Sequence, residues 1–292
     1  MKPAPFKYHA PRTIGDALRL LADSSQACVL AGGQSLMPML NFRLLAPDHV
    51  IDLNRVPALG GIRVDHHVLP VLHVGAMTRQ CDVEFSTVVH DAAPLLQAAV
   101  RQVGHRQTRN RGTVGGSLCH LDPAAELVTA AMALDATLVA ESAAHGPRRI
   151  PIAAWGAGYL TNALRPGEIL TVVEFPLWPD THGYAFVEFA RRKGDFAIAG
   201  VAALLAFDAT GAITRAAVAI GGCGPFPQRP AAVEQALIGQ PPSIALFKDA
   251  ARRAADIEAH SDAQVRADYR RHLARVLTER ALIEAASHGA SQ

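Results

Sequence analysis

Two short segments carry the residues best suited to holding an anion. Gly32-Gly33-Gln34-Ser35 interrupts an apolar run that ends at Leu30-Ala31, and Gly112-Thr113-Val114-Gly115-Gly116-Ser117 follows the arginine-rich stretch His105 to Arg111. Paired glycines let backbone N–H groups approach a phosphate oxygen with no Cβ in the way, and the hydroxyls of Ser35, Thr113 and Ser117 add donors. One such loop is ordinary turn chemistry; two in one chain suit a diphosphate, which needs several donors at close range. Arg106, Arg109 and Arg111 flank the second loop, where positive charge favours the same ligand. No Lys-Ser or Lys-Thr follows a glycine as in a P-loop, and no GxGxxG opens a helix as in a dinucleotide-binding Rossmann unit. From the residues alone, a two-loop anion site in an α+β domain remains.

Those loops need elements to hold them. Thr13 can cap a helix carrying Ile14, Ala17, Leu18 and Leu21 at helical spacing, and Cys28 to Ala31 reads as a strand entering the first glycine turn. Leu36 to Leu45 is expected to be a helical turn kinked at Pro38. His49 to Leu53 reads as a strand, Gly61 to Val64 and Val68 to Gly75 as a hairpin, and Thr78 to Val103 as helical. His105 to Arg111 is expected to be a polar loop. Beyond the second glycine turn, Asp122-Pro123 opens an apolar helix, Ala124 to Leu134, with Asp122 as its cap. Thr137 to Glu141 and Arg148 to Ile152 read as a strand pair, and Glu168 to Phe175 as a strand stopped by Pro176. From Trp178 the pattern changes. Tyr184 to Ala190, Ala197 to Phe207 and Ile213 to Gly221 read as an antiparallel meander, which the helical segments Gln228 to Gln240 and Ile244 to Ala286 cover.

Composition narrows the classes of function. The 292 residues carry 28 Lys+Arg against 26 Asp+Glu, a net charge of +2, with 50% hydrophobic residues and a mean hydropathy of +0.14. That describes a globular chain of about two domains with no electrostatic footprint for nucleic acid or a membrane surface. The most apolar stretch, Phe196 to Phe207, is shorter than the ~18 residues of a membrane span. The N-terminus lacks an apolar signal region, so a cytoplasmic location is expected. Cys28, Cys81, Cys119 and Cys223 have no CxxC or CxxxxC spacing and read as small core residues. Cys119, His120, Asp122 and Glu126 lie close in sequence without matching a zinc pattern, and no Ser-His-Asp or paired-carboxylate arrangement supports hydrolysis.

At this point the residues carry a resemblance. AGGQSLMPML with the following Ile51-Asp52-Leu53, then VGHRQTRNRGTVGGSLCHLDPAAEL, then RRKGDFAIA, in that order between about Phe6 and Gly224, resemble the FAD-binding medium subunit of molybdenum hydroxylases. That family includes carbon-monoxide dehydrogenase medium subunits and the flavin domain of xanthine dehydrogenase. The resemblance implies an α+β fold. Residues 1–177 would form a vanillyl-alcohol-oxidase-type FAD-binding domain of two α/β subdomains, about 1–57 and 58–177. Residues 178–292 would form a C-terminal domain with a three-stranded antiparallel sheet and helices. Carried over by motif, Leu30, Ala31, Gly32, Gly33, Gln34, Ser35, Leu36 and Met37, with Thr113, Gly115, Gly116 and Ser117, would grip the FAD diphosphate and ribityl chain. Glu126 stands at an acidic FAD contact that xanthine dehydrogenases fill with Asp. Leu170 would pack on the isoalloxazine ring and Phe196 would shield its reactive edge. Ser117 replaces a common Asn, Val187 a flavin-contacting Lys, and Gly194 an acidic residue, so the animal-type flavin environment is not reproduced.

By the same resemblance, the chain would collect electrons on FAD and pass them to an external acceptor. A large subunit would hold the molybdenum cofactor and a small subunit two 2Fe-2S clusters, assembled as a dimer of heterotrimers. This chain would hold no metal and span no membrane. Two other readings remain open: a self-contained FAD-dependent oxidoreductase of the vanillyl-alcohol-oxidase fold, and a non-catalytic assembly subunit.

Overall fold

The computed structural model describes residues 2–67 and 69–290. Thr13 accepts a hydrogen bond from the Asp16 N–H at 3.1 Å and starts the helix Ile14–Ala22, whose Ala17 and Leu18 are buried. They pack with Ile51, Leu53, Val56 and Leu59 above a parallel three-stranded sheet ordered Lys7–His9, His49–Asp52, Ala27–Leu30. The middle strand comes last in the chain, so the ends of Ala27–Leu30 and His49–Asp52 lie side by side, with Leu30 opposite Asp52. The first glycine turn and the segment after Asp52 therefore leave the sheet at one place.

A second sheet follows, ordered Ile62–Asp65, Val71–Gly75, Glu168–Pro176, Thr137–Ser142, Gly146–Pro151, with every neighbouring pair antiparallel. The expected hairpin is present as Ile62–Asp65 and Val71–Gly75; Val68 lies outside the described residues. Helices Gln80–Glu84, Thr87–Ala92, Pro94–Gln102, Val114–His120 and Glu126–Ala133 supply much of the core that packs with this sheet. All eight residues of Glu126–Ala133 are buried, because this helix lies between that core and the third sheet.

The third sheet runs Gly183–Phe189, Ala199–Phe207, Ile213–Gly221, antiparallel throughout. Alternate residues of the central strand, Ala202, Leu204 and Ala206, face the first core; Ala199, Val201, Ala203 and Leu205 face a second core closed by Leu273, Leu277 and Leu282. Burial on both faces explains why this strand is apolar without alternation. Among the described residues no helix is long and apolar enough to cross a membrane.

Three local expectations are corrected. His105 to Arg111 holds a helix, Arg106–Arg111, because Arg109 anchors it: Nε and Nη2 donate to the two Glu84 carboxylate oxygens at 2.7 and 3.0 Å, and Nη1 to the Val103 carbonyl. Asp122 accepts from the Ala124 N–H at 2.8 Å in a turn, and the helix begins later, at Glu126 with Ala125 in the capping position. The C-terminal helical stretch is broken between Asp256 and Ala267. There the Arg270 guanidinium, 6% exposed, donates to the Ile198 and Gly222 carbonyls and to Asp262, holding an irregular segment against the third sheet.

One glycine fixes how closely the last helix docks. A Cβ at Gly183 would lie 1.9 Å from the Ala285 carbonyl oxygen, whereas one at Gly15 would meet nothing within 4 Å. Gly183→Ala is expected to cost about 1–3 kcal/mol in denaturant unfolding, and Gly15→Ala to leave stability unchanged or slightly raised.

Candidate functional site

The two glycine loops meet. A Cβ on Gly32 would lie 2.3 Å from the Arg111 carbonyl oxygen and 2.8 Å from the Gly112 Cα, and one on Gly116 would lie 3.3 Å from the Ala31 Cβ. Gly32 is thus required as glycine by contact, since its own φ is unexceptional; Gly33 is required by conformation, with φ +74°. Leu30 and Met37 close over Gly33, their side-chain carbons 3.3 and 3.2 Å from where its Cβ would be.

Their donors are used differently. In the second loop the N–H of Val114 bonds to the Thr78 carbonyl, Gly115 to the Ala76 carbonyl at 2.8 Å, Gly116 to Thr113 Oγ1 at 3.0 Å and Ser117 to the Thr113 carbonyl. Its glycines therefore serve close packing, Gly115 against Ala76 above all, where a Cβ would lie 2.5 Å from the Ala76 Cβ. In the first loop the N–H groups of Gly33, Gln34 and Ser35 have no acceptor among the described residues, and the Ser35 hydroxyl makes no capping bond. The Ser117 hydroxyl is likewise unengaged there. These groups, with the Gln34 amide, whose Nε2 already donates to the Gly32 carbonyl at 3.2 Å, form a donor-rich edge where the loops touch. The orphaned donors beside a side-chain-free contact fit a diphosphate-bearing group such as FAD.

A polar chain lies under the loops that sequence reasoning missed. Tyr8 Oη donates to Asp52 Oδ2 at 2.5 Å; Asp52 Oδ1 accepts from the Asn54 N–H at 2.9 Å and from Asn54 Nδ2, which also donates to the Ala31 carbonyl at 2.8 Å. Arg79 donates through Nη2 to Asn54 Oδ1 at 2.5 Å and through Nη1 to the Arg111 carbonyl. Although burial of Asp52 pushes the other way, the Tyr8 and Asn54 hydrogen bonds and the Arg111 charge hold its carboxyl below the usual range. The only trace in the sequence was Asp52, inside the Ile51-Asp52-Leu53 segment. Of the flanking arginines, Arg109 is committed to Glu84, while the Arg111 guanidinium has no hydrogen-bond or ion-pair partner among the described residues.

The remaining candidates are spread around this centre. Leu170 is 4% exposed in strand Glu168–Pro176, whose Thr171 carbonyl accepts from the Ala76 N–H; Ala76 thus links that strand to the second loop. Trp155 Nε1 and Asn162 Nδ2 donate to the Leu118 and Cys119 carbonyls, fixing the end of the second-loop helix. Glu126 is 7% exposed, and burial first, then the Glu188 and Asp122 charges, pushes its carboxyl up to about 8 against the pull of its own backbone N–H. Burial pushes Glu188 up to about 7, and its Oε2 is buried without a partner. Glu188 sits opposite Gly200, which sits opposite Gly221, the glycine against Thr129 of the Glu126 helix. Two carboxyls thus face one seam, between the Glu126 helix and the third sheet. Phe196 is 68% exposed and makes no ring contact among the described residues. Its loop reaches the second-loop side at Gly194, where a Cβ would lie 2.5 Å from the His105 ring. Val187 packs at the edge of the second core.

Comparison with known proteins places this geometry. Residues 4–178 match a family described as the FAD binding domain in molybdopterin dehydrogenase, and residues 184–285 one described as the CO dehydrogenase flavoprotein C-terminal domain. The chain is 39% identical to 6-hydroxypseudooxynicotine dehydrogenase complex subunit alpha of Paenarthrobacter nicotinovorans, over 98% of this chain and 96% of that protein. It is 38% identical to caffeine dehydrogenase subunit beta of a Pseudomonas species, with the same coverage of each. The fold superposes on a chain of carbon monoxide dehydrogenase from Hydrogenophaga pseudoflava with a TM-score of 0.93 and 34% identity, covering 99% of each chain.

A carboxyl whose pKa is raised on folding binds its proton more tightly in the folded chain, so its contribution is complete below its unfolded value and is lost as pH rises towards the folded value. For Glu126 that window runs from about 4.5 to about 8. In the cofactor-free chain, Glu126→Gln is expected to flatten the fall in unfolding free energy between pH 5 and 8. It should exceed the parent at pH 8 by on the order of a few kcal/mol.

Proposed function

Because this chain belongs to the family of FAD-binding subunits of molybdopterin dehydrogenases, we propose that it holds one FAD at the contact of its two glycine loops and serves as the electron outlet of a heteromeric molybdenum hydroxylase. The observation that carries this reading is the contact itself: Gly32 against the Arg111 carbonyl, with the Gly33, Gln34 and Ser35 N–H groups left without acceptors at its edge. Bound there, FAD supplies a carrier that takes electrons singly and releases them in pairs.

The chain's own residues bind and orient. The first-loop N–H groups from Gly33 to Ser35, the Ser35 and Ser117 hydroxyls and the Gln34 amide donate to the diphosphate and ribityl chain; Leu30, Leu36 and Met37 cover it. Ala31, Thr113, Gly115 and Gly116 shape the floor, Thr113 by holding the Gly116 N–H. Glu126, kept neutral near pH 7 by burial, offers a carboxyl proton as a donor. Leu170 provides an apolar wall, and the exposed Phe196 covers a ring edge once the cofactor is seated. A small subunit with 2Fe-2S clusters would deliver the electrons, and a large subunit with the molybdenum cofactor would take them from the substrate, water supplying the oxygen atom that the product gains. The three chains assemble as a dimer of heterotrimers, with residues 1–177 as the FAD-binding domain and 178–292 as the C-terminal domain. The large subunit chooses the substrate.

The test is electron flow in the assembled complex. Gly32→Ala inserts a methyl group between the loops and is expected to leave a complex that lacks flavin, still reduces its iron-sulfur centres with substrate, and loses acceptor turnover by at least about tenfold. Turnover retained without flavin, or by this chain with no partner, overturns the reading.

A further inference from the structure

Glycine packing brings the loops together, but a separate set of side chains spans them. Asn54 belongs to the segment leaving the parallel sheet, Arg79 to the turn between the second sheet and its first helix, and Arg111 to the end of the helix before the second loop. Arg79 Nη2 reaches the Asn54 amide oxygen at 2.5 Å and Nη1 reaches the Arg111 carbonyl. Asn54 in turn holds the Ala31 carbonyl of the first loop at 2.8 Å. One guanidinium therefore joins both loops, one directly and one through an amide.

The wiring has a single direction. Both Nδ2 hydrogens of Asn54 are used, one for Asp52 and one for Ala31, which leaves its Oδ1 to face Arg79; reversing the amide would break all three bonds. Asp52 is itself fixed by Tyr8. Only a planar fork with two outward N–H groups can meet an amide oxygen and a carbonyl oxygen together, which a lysine ammonium at the end of a flexible stem does not do in fixed geometry. Burial and then the neighbouring Arg111 lower the Arg79 pKa, against the pull of the Asp82 and Asp52 carboxylates, so the guanidinium sits in a mixed field and is held in place by its two hydrogen bonds.

We propose that Arg79, oriented by Asn54, is a positioning residue for the FAD site: its guanidinium sets the separation of the two glycine loops before the cofactor arrives, so that the diphosphate meets donors already in place. This rests on the FAD reading above. Pre-set donors raise affinity because the ordering of two loops is not charged against binding.

The test is an FAD titration of the full-length chain stripped of flavin, read by flavin fluorescence and absorbance, with thermal unfolding of the flavin-free chain alongside. The parent chain must bind FAD; failure there overturns the functional reading itself. Given parent binding, Arg79→Leu is expected to raise the FAD Kd by at least about tenfold. The unfolding midpoint of the flavin-free chain should move by only a few degrees. Arg79→Lys, which keeps the charge and one bond, falls between the two. Asn54→Asp keeps the acceptor for Arg79 but cannot donate to Ala31, and weakens binding as well. Arg79→Leu with Asn54→Leu together is no weaker than the weaker single variant, because both break one link. A folded Arg79→Leu chain with the parent Kd overturns the positioning role while leaving the FAD site intact. If Arg79→Leu does not fold, Arg79→Lys and Asn54→Asp decide, and parent affinity in both overturns the proposal equally.

Discussion

Everything in the candidate site depends on the approach of two backbones that no side chain could permit. Gly32 presses on the Arg111 carbonyl and Gly116 on Ala31, so a loop leaving the parallel sheet and a turn between two helices share one edge. The parallel sheet brings the first loop there because Leu30 and Asp52 end side by side; Ala76 brings the second by holding the Gly115 N–H while its own N–H is held by Thr171. A methyl group at Gly32 would push the two loops apart, and the donors of the first loop would no longer lie against the second.

Much of this was legible in the sequence, and the reasons differ by residue. Both glycine loops were readable because a close backbone approach restricts the residue type to one, and because their hydroxyls lie at fixed offsets. The three-stranded meander was readable from long apolar runs separated by the turn at Asp208 to Gly211. Two features were misread and one was missed. The helix Arg106–Arg111 looked like a loop because its stability comes from Glu84, 25 residues away, and not from local pattern. The second loop was expected to donate its N–H groups outward, but Thr78, Ala76 and Thr113 take them. Asn54 and Arg79 left no trace, since a polar residue after a strand and an arginine before a helix are ordinary until the fold brings them within one hydrogen bond.

The seam between the Glu126 helix and the third sheet follows a different logic from the loops. Thr129 sits on Gly221, and the Gly222 N–H bonds to the Pro123 carbonyl at 2.7 Å, so the Glu126 helix is pinned to the third sheet by glycines as well. Burying Glu126 and Glu188 on either side costs stability at neutral pH, a cost limited because burial raises both carboxyls, Glu126 to about 8 and Glu188 to about 7, so that Glu126 stays largely protonated there. The cysteines show the inert counterpart: burial pushes Cys119 up to about 12 and Cys223 up to about 11, which leaves them as packing groups and not nucleophiles.

The most direct measurement is the absorbance spectrum of the purified chain, as isolated and after addition of FAD, with the released cofactor identified by chromatography. The account predicts flavin bands from one FAD per chain. A folded chain that takes up no FAD, alone or with its partner subunits present, would contradict it.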